Sequence, residues 1–243
     1  LIDHSVVAQG EAAIRARIDQ LKAEGVRMAV VDAVSNADLL RLGPALKGMP
    51  LVTAGSGVAI GLPGNFGVAP CNEAARLPAA QGLQAIVSGS CSVATNQQVM
   101  DFIKAGKPAL AIDPLRIAAG VDVAAEALAW AEGHIGQGPV LVYSTAEPSA
   151  VRAIQGKLGS EKAGAMVEET IAAIARGLVQ RGVRQLIVAG GETSGACVQA
   201  LGITQMRIGA QIDPGVPWCH AVAPDAKDGL HITLKSGNFG GTD

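Results

Sequence analysis

The stretch RQLIVAGGETSGACVQALG, Arg184–Gly202, decides the fold. RQLIVAGG reads as a buried strand beginning at Arg184, its apolar run Leu186–Ala189 being too short for a helix. Gly190 and Gly191 end it, and from Glu192 onward the residues read as a helix that runs up to Gly202. A strand, a small-residue turn and a helix make the repeating unit of a layered α/β fold. The first N–H groups of such a helix have no intrahelical partner and can receive an anion, and two glycines permit close approach and positive φ. Thr193 and Ser194 can cap the helix or bind a phosphate oxygen. Glu192 can hold a ribose hydroxyl or, through water, a Mg²⁺ ion. The same residues would also build a plain tight turn with a helix cap; their place at the carboxyl end of a strand, where α/β sheets bind ligands, favours a site.

Outward from this unit the pattern repeats. Toward the N-terminus, Val167, Ile171, Ile174 and Leu178 form one helical face that stops at Gly182. Further back, strands are expected at Val140 (VLVYST), Ala109 (ALAID) and Leu83–Val87, with helices over Val123–Glu132 and up to Gly106. Near the start, Ile14, Ile18 and Leu21 share a helical face. Val26–Val31 reads as a buried strand ending at Asp32, Asn36 as the cap of a helix through Leu42, and Pro50–Thr53 as a short strand. TAGSGVAIGLPGNFG, from Thr53, changes the composition, and a domain boundary is placed after it. Beyond Met206, Asp213-Pro214-Gly215, Pro217 and Pro224 separate short apolar segments, as antiparallel strands and turns require. The expected fold is therefore α/β, a layered sheet with flanking helices and a β-rich C-terminal segment.

Two further turns share the setting of Gly190. Ser88-Gly89-Ser90-Cys91-Ser92 follows a predicted strand, and its hydroxyls can reach a phosphate or cap the helix behind them. Lys235-Ser236-Gly237-Asn238-Phe239-Gly240-Gly241 closes the last strand. Its amides can face a ligand and Lys235 can add a point charge, although an exposed lysine beside a turn is ordinarily only solvated. Gly55-Ser56-Gly57 with Gly61 misses the GxGxxG spacing of dinucleotide folds, and no GxxxxGK[ST] loop occurs.

Composition narrows the function further. The 243 residues are 49% hydrophobic and 16% charged, with a formal net charge of -2, so the chain buries a core and carries no basic stripe for nucleic acid. Aromatic residues are only 2%, which removes stacking platforms as the main means of binding. The uncharged Gly48–Asn72 stretch is broken by Pro50, Pro63 and Pro70, so it is read as loop rather than membrane span. Cys71, Cys91, Cys197 and Cys219 form no CxxC pair, and His4, His134, His220 and His231 no HxxH pair. The cysteines are expected to be reduced thiols in a cytoplasmic protein, and no residue is assigned as a metal ligand. Asp32 and Asp113, at the ends of predicted strands, are candidates to line a crevice or to form turns.

VVDAVSNADL at Val30, LVTAGSGVAIGLP at Leu51, VSGSCSVATNQQ at Val87, VAGGETSGACVQALGI at Val188 and LKSGNFGGTD at Leu234 together resemble the four-carbon acid sugar kinase family. The family's members include 3-oxo-tetronate, D-threonate and D-erythronate kinases. The resemblance implies an ATP-dependent enzyme, using Mg²⁺, that phosphorylates the terminal hydroxyl of a small sugar acid. It implies ATP contacts at Ser88 or Ser90, at Gly190, Gly191, Glu192, Thr193 and Ser194, and at Gly237. Members begin with an Asp-Asp-x-Thr-Gly region that is absent from this sequence, so residues 1–63 would correspond to the end of the sugar-acid domain and 64–243 to the nucleotide domain. The catalytic group is left unassigned, and this stretch alone is expected to bind nucleotide without turnover. Oligomeric state is open, homo-oligomers included; neither nucleic acid nor membrane is expected as a partner.

Overall fold

A computed structural model of the chain describes residues 1–145, 156 and 159–241. The chain divides into two compact units, Leu1–Cys71 and Asn72–Asp243.

The second unit is built on a seven-stranded sheet. Its elements are β1 (Leu83–Ser88), α4 (Val93–Lys104), β2 (Ala109–Ala111), α5 (Pro114–Ala118), α6 (Val123–Glu132), β3 (Val140–Tyr143), α7 (Ser160–Gln180), β4 (Val183–Ala189), α8 (Gly191–Ala200), β5 (Met206–Asp213), β6 (Val216–Ala223) and β7 (Ala226–Lys235). The spatial order is β2-β3-β1-β4-β7-β6-β5. β2, β3, β1, β4 and β7 run parallel, whereas β5–β6 and β6–β7 are antiparallel, as the turn-rich tail required. The connection after β1 leaves toward β2, and that after β4 leaves toward the opposite edge. The chain therefore reverses direction between β1 and β4, where α/β sheets open a crevice at their carboxyl ends.

Alternation along the strands sorts residues to two faces. Ala85, Val87, Val140, Val142, Leu186 and Val188 join Ile171, Ile174 and Leu178 of α7 and Ala127 and Ala131 of α6 in one buried cluster. The apolar face read from spacing in α7 is thus the one that packs. Ile86, Ser88, Leu141, Ile187, Ala189 and Lys235 occupy the other face, beside Thr95, Gln98 and Val99 of α4.

The first unit holds α1 (His4–Val7), α2 (Glu11–Ala23) and α3 (Asn36–Ala45), followed by short 3₁₀ turns at Ser56–Gly61 and Pro63–Phe66. Ile2, Val7, Ile14, Leu21, Leu42 and Ala45 form its core. Three expectations are corrected here. Val26–Val31 is not a buried strand: only Val31 bridges, to Ile2, and Met28 is 91% exposed. Pro50–Thr53 forms no strand either, and Leu51 is exposed. β-favouring composition cannot make a strand where no neighbouring chain completes the ladder. Third, α3 is capped by Ser35 rather than Asn36, through a capping box with Asp38.

Asp38 is buried and accepts hydrogen bonds from the Ser35 hydroxyl (2.9 Å) and from the amides of Val34 (3.1 Å) and Ser35 (3.0 Å). Those donors, with His4 at 3.4 Å and Arg41 at 2.8 Å, bring its carboxyl down to about 2. A carboxylate whose value is lower folded than unfolded stabilises the fold above the unfolded value and loses that contribution as pH falls through the folded one. Amide-exchange protection of α3 is therefore expected to decline between about pH 4 and pH 2. Asp38→Asn should flatten that decline; an identical acid profile for the variant would exclude Asp38 as its origin.

Candidate functional site

The three small-residue turns meet at the carboxyl ends of β1, β4 and β7, which are neighbours in the sheet. Backbone bonds tie the strand tips together past the ends of the ladder. Gly89 donates to the Ala189 carbonyl at 3.0 Å, Gly190 to Lys235 at 2.9 Å, and Ser144 to Ser88 at 2.9 Å. At these contacts a Cβ could enter only if a neighbour shifted. A Cβ on Gly89 would overlap Thr193 Oγ1, and one on Gly190 would lie 2.7 Å from the same atom. A Cβ on Gly237 would lie 2.6 Å from Ser90 Oγ.

Beside these tips lies a cavity of about 700 Å³. Gly89, Ser90 and Cys91 line it from the first turn, and Gly190, Gly191, Glu192 and Thr193 from the second. Ala111, Ile112, Pro114, Tyr143, Ala163 and Val167 give it an apolar wall. Asp113, which caps α5 by accepting from Leu115 N at 2.8 Å, also lines it, whereas Asp32 belongs to the other unit.

The helix that opens into this cavity has no side-chain cap. Its N-cap is Gly190, at φ 126°, and among the described residues the N–H groups of Gly191, Glu192 and Thr193 donate to no acceptor. These amides and the positive end of the helix dipole favour an anion. α4, by contrast, is closed by Ser92, whose hydroxyl accepts from Thr95 N at 3.2 Å.

Several sequence expectations are refined. Positive φ belongs to Gly190, whereas Gly191 is the first helical residue, and a Cβ there would meet nothing within 4 Å. Thr193 and Ser194 do not cap α8; both are buried, and Ser194 Oγ has no hydrogen-bond partner among the described residues and does not line the cavity. Of the two serines, Ser90 lines the cavity, while Ser88 is buried with its hydroxyl 2.6 Å from Thr145 Oγ1. Gly237 is not on the cavity wall but stands against Ser90 and Ser92. Lys235 is not a solvated surface lysine: it is 7% exposed. Thr242 and Asp243 of the LKSGNFGGTD motif lie outside the described residues.

Sequence reasoning missed Glu168. It sits on α7 one turn beyond Gly164 and one residue after Val167, all three on the cavity wall. Burial, then the neighbouring Glu192 carboxylate, pushes its carboxyl above the usual range. The only signal available was an acid adjoining the apolar Val167 face. Cys91 also lines the cavity, whereas burial pushes the Cys197 thiol up to about 12, which keeps it a thiol at neutral pH. All four cysteines are free, and no group of three or more His, Cys, Asp or Glu is gathered for a metal among the described residues. Nor is any described helix long and apolar enough to cross a membrane.

An α/β unit with a glycine-lined, uncapped helix start at its switch point belongs to the class of nucleotide-binding domains. Residues 85–243 match the model of a nucleotide-binding C-terminal domain, and residues 1–62 that of a sugar-binding N-terminal domain. The chain belongs to the four-carbon acid sugar kinase family. It is 53% identical to the 3-oxo-tetronate kinase of Cupriavidus necator and 51% identical to that of Burkholderia multivorans. Each match covers 100% of this chain and 56% of the relative, so the chain spans little more than half their length. A Haemophilus influenzae protein of the DUF1537 family superposes with a TM-score of 0.71 at 37% identity, over 99% of this chain and 57% of that one.

Proposed function

We propose that this chain supplies the nucleotide-binding part of an ATP-dependent kinase that phosphorylates the terminal hydroxyl of a four-carbon sugar acid of the 3-oxo-tetronate, threonate or erythronate type. Residues 64–243 would form the nucleotide domain and residues 1–63 the end of the sugar-acid domain. The observation that carries the proposal is the convergence of the Ser90, Gly190 and Gly237 turns on an uncapped helix N-terminus beside a cavity of about 700 Å³.

The residues fit the group they would hold. The free amides of Gly191, Glu192 and Thr193 suit phosphate oxygens, and the open space before Gly191 is where a side chain would otherwise stand. Ser90 and Thr193 add hydroxyls at the same end. The Ile112, Pro114, Tyr143 and Val167 wall suits a flat apolar base. Mg²⁺ binds through one or two carboxylates plus substrate phosphates, and among the described residues Asp113, Glu168 and Glu192 are the carboxylates that line the cavity. When bound, the ion would offset charge on the phosphates. The chain's own contribution is to hold the phosphoryl group in line and to present fixed dipoles to it, which is most of what phosphoryl transfer asks of a protein.

Gly191→Val is the direct test. Its backbone is helical and its Cβ would enter the cavity, so the fold should be nearly unchanged while Mg·ATP affinity falls about ten- to hundred-fold. Titration calorimetry and a thermal melt measure the two effects separately. Unchanged affinity would remove the Gly190 turn from the site, and an absence of Mg·ATP binding by the parent chain would end the proposal.

A further inference from the structure

Among the described residues, Lys235 is the one lysine whose surroundings ordinary surface chemistry does not explain. It ends β7 in register with Ala189, on the α4 face of the sheet, and is 7% exposed. Its Nζ donates to Thr95 Oγ1 at 2.9 Å, to the Gly237 carbonyl at 3.0 Å and to the Ser236 carbonyl at 3.3 Å. All three acceptors are neutral, and no carboxylate pairs with it among the described residues. A buried cation normally has a partner of opposite charge.

The three acceptors show what the ammonium does structurally. The Gly237 carbonyl receives Lys235, the Thr95 hydroxyl at 2.9 Å and the Ser92 hydroxyl. It is therefore fixed toward α4. The peptide is planar and trans, so the Asn238 N–H on its other side must point away from that cluster. This N–H donates to nothing among the described residues, although Phe239 N closes the turn on the Ser236 carbonyl at 3.1 Å. The Gly237 turn stands against Ser90, which lines the large cavity.

We infer that Lys235 is a positioning residue for the nucleotide's terminal phosphates: it locks the Gly237 turn in its donor orientation and leaves an unneutralised positive charge beneath it. The inference rests on the nucleotide reading above and deepens it. Lys235 touches no phosphate itself. Its charge acts through the turn, and at 7% exposure it is screened less than a surface charge would be. Burial lowers the lysine's proton affinity, in keeping with a charge held at some cost until an anion arrives.

The experiment compares ATP, ADP and AMP binding, each with Mg²⁺, by titration calorimetry for the parent chain, Lys235→Met and Thr95→Val. Lys235→Met is expected to weaken ATP about thirty-fold, ADP less and AMP by no more than about three-fold, with a shallower salt dependence. Thr95→Val, which keeps the ammonium but breaks one link to Gly237, should weaken ATP by about five-fold. Equal losses for all three nucleotides would make Lys235 merely structural and overturn the inference, as would no loss at all. If Lys235→Met does not fold, the pH profile in a Cys91→Ser background decides. Lys235 lines a second cavity, on the α4 side of the sheet, and among the described residues the other titratable group on that wall is Asp101 of α4, which pairs with Lys104. The ATP-to-AMP affinity ratio should then fall as pH rises toward the ordinary lysine range, because the charged form is the one that helps. A flat ratio overturns the inference. Failure of the parent chain to bind any of the three nucleotides would instead defeat the nucleotide reading itself.

Discussion

Gly190→Ala is expected to abolish tight nucleotide binding and to destabilise the second unit, in contrast to the selective loss expected at the adjacent Gly191. Gly190 sits at φ 126° and ψ 135°, a region that only glycine occupies without strain. An alanine Cβ would lie 2.7 Å from Thr193 Oγ1, 3.2 Å from Thr193 Cβ and 3.3 Å from Ser90 N. Thr193 is buried and cannot swing aside freely, so the turn itself must shift. Backbone strain and overpacking together should cost about 2–4 kcal/mol. The same shift turns the amides of Gly191, Glu192 and Thr193 off their common target, and the loss of several charge-assisted hydrogen bonds should reduce Mg·ATP affinity more than about a hundred-fold. Thermal unfolding and calorimetry on the pair of variants would check this. Equal stability of Gly190→Ala and the parent would show that the turn relaxes without cost and would remove the strained N-cap from the account.

The contrast between those glycines marks how far the sequence could be followed. That a strand, a turn and a helix meet at Gly190-Gly191 was legible, because an apolar run, paired glycines and a following helical segment are each set by local chemistry. The α7 face was legible for the same reason: Val167, Ile171, Ile174 and Leu178 recur at helical spacing and all pack. Which glycine takes positive φ was not, since that depends on how Thr193 and Ser90 crowd the turn. Likewise Lys235 gave no sign of burial. Its surroundings are made by Thr95 and Ser92, roughly 140 residues earlier in the chain, and only the parallel pairing of β4 with β7 brings its strand into the centre of the sheet. Glu168 was hidden because an acid in a long amphipathic helix reads as solvent-facing unless another carboxylate is known to stand opposite. Val26–Val31 failed in the opposite way. Its residues favour a strand, but apart from the Val31 bridge the ladder it would need is not supplied by the described residues of its unit.

The largest loss of stability is expected in the first unit, from Gly43→Ala. Gly43 lies on α3, pressed backbone to backbone against the 3₁₀ turn at Ser56–Gly61. An added Cβ would overlap the Gly61 carbonyl and approach Gly61 Cα to 2.6 Å. The contact is reciprocal, because a Cβ on Gly61 would overlap the Leu39 carbonyl. Asn65 Nδ2 also donates to the Gly43 carbonyl at 2.7 Å, tying the next turn to the same point. No side-chain rotation can relieve a clash with a main-chain oxygen, so α3 must move away from the turn, and a cost of about 3 kcal/mol or more is expected. Alanine would by itself favour the helix and restrict the unfolded chain, so these gains work against the loss. Gly64→Ala supplies the control: its φ is not positive and a Cβ there meets nothing within 4 Å. Amide exchange across α3, followed in both variants, separates the cases. Large loss of protection in Gly43→Ala with none in Gly64→Ala would assign the effect to close backbone approach. Matching profiles would mean that the helix and the turn can part at little cost, and that Ile2, Val7, Ile14 and Leu21 hold the unit without them.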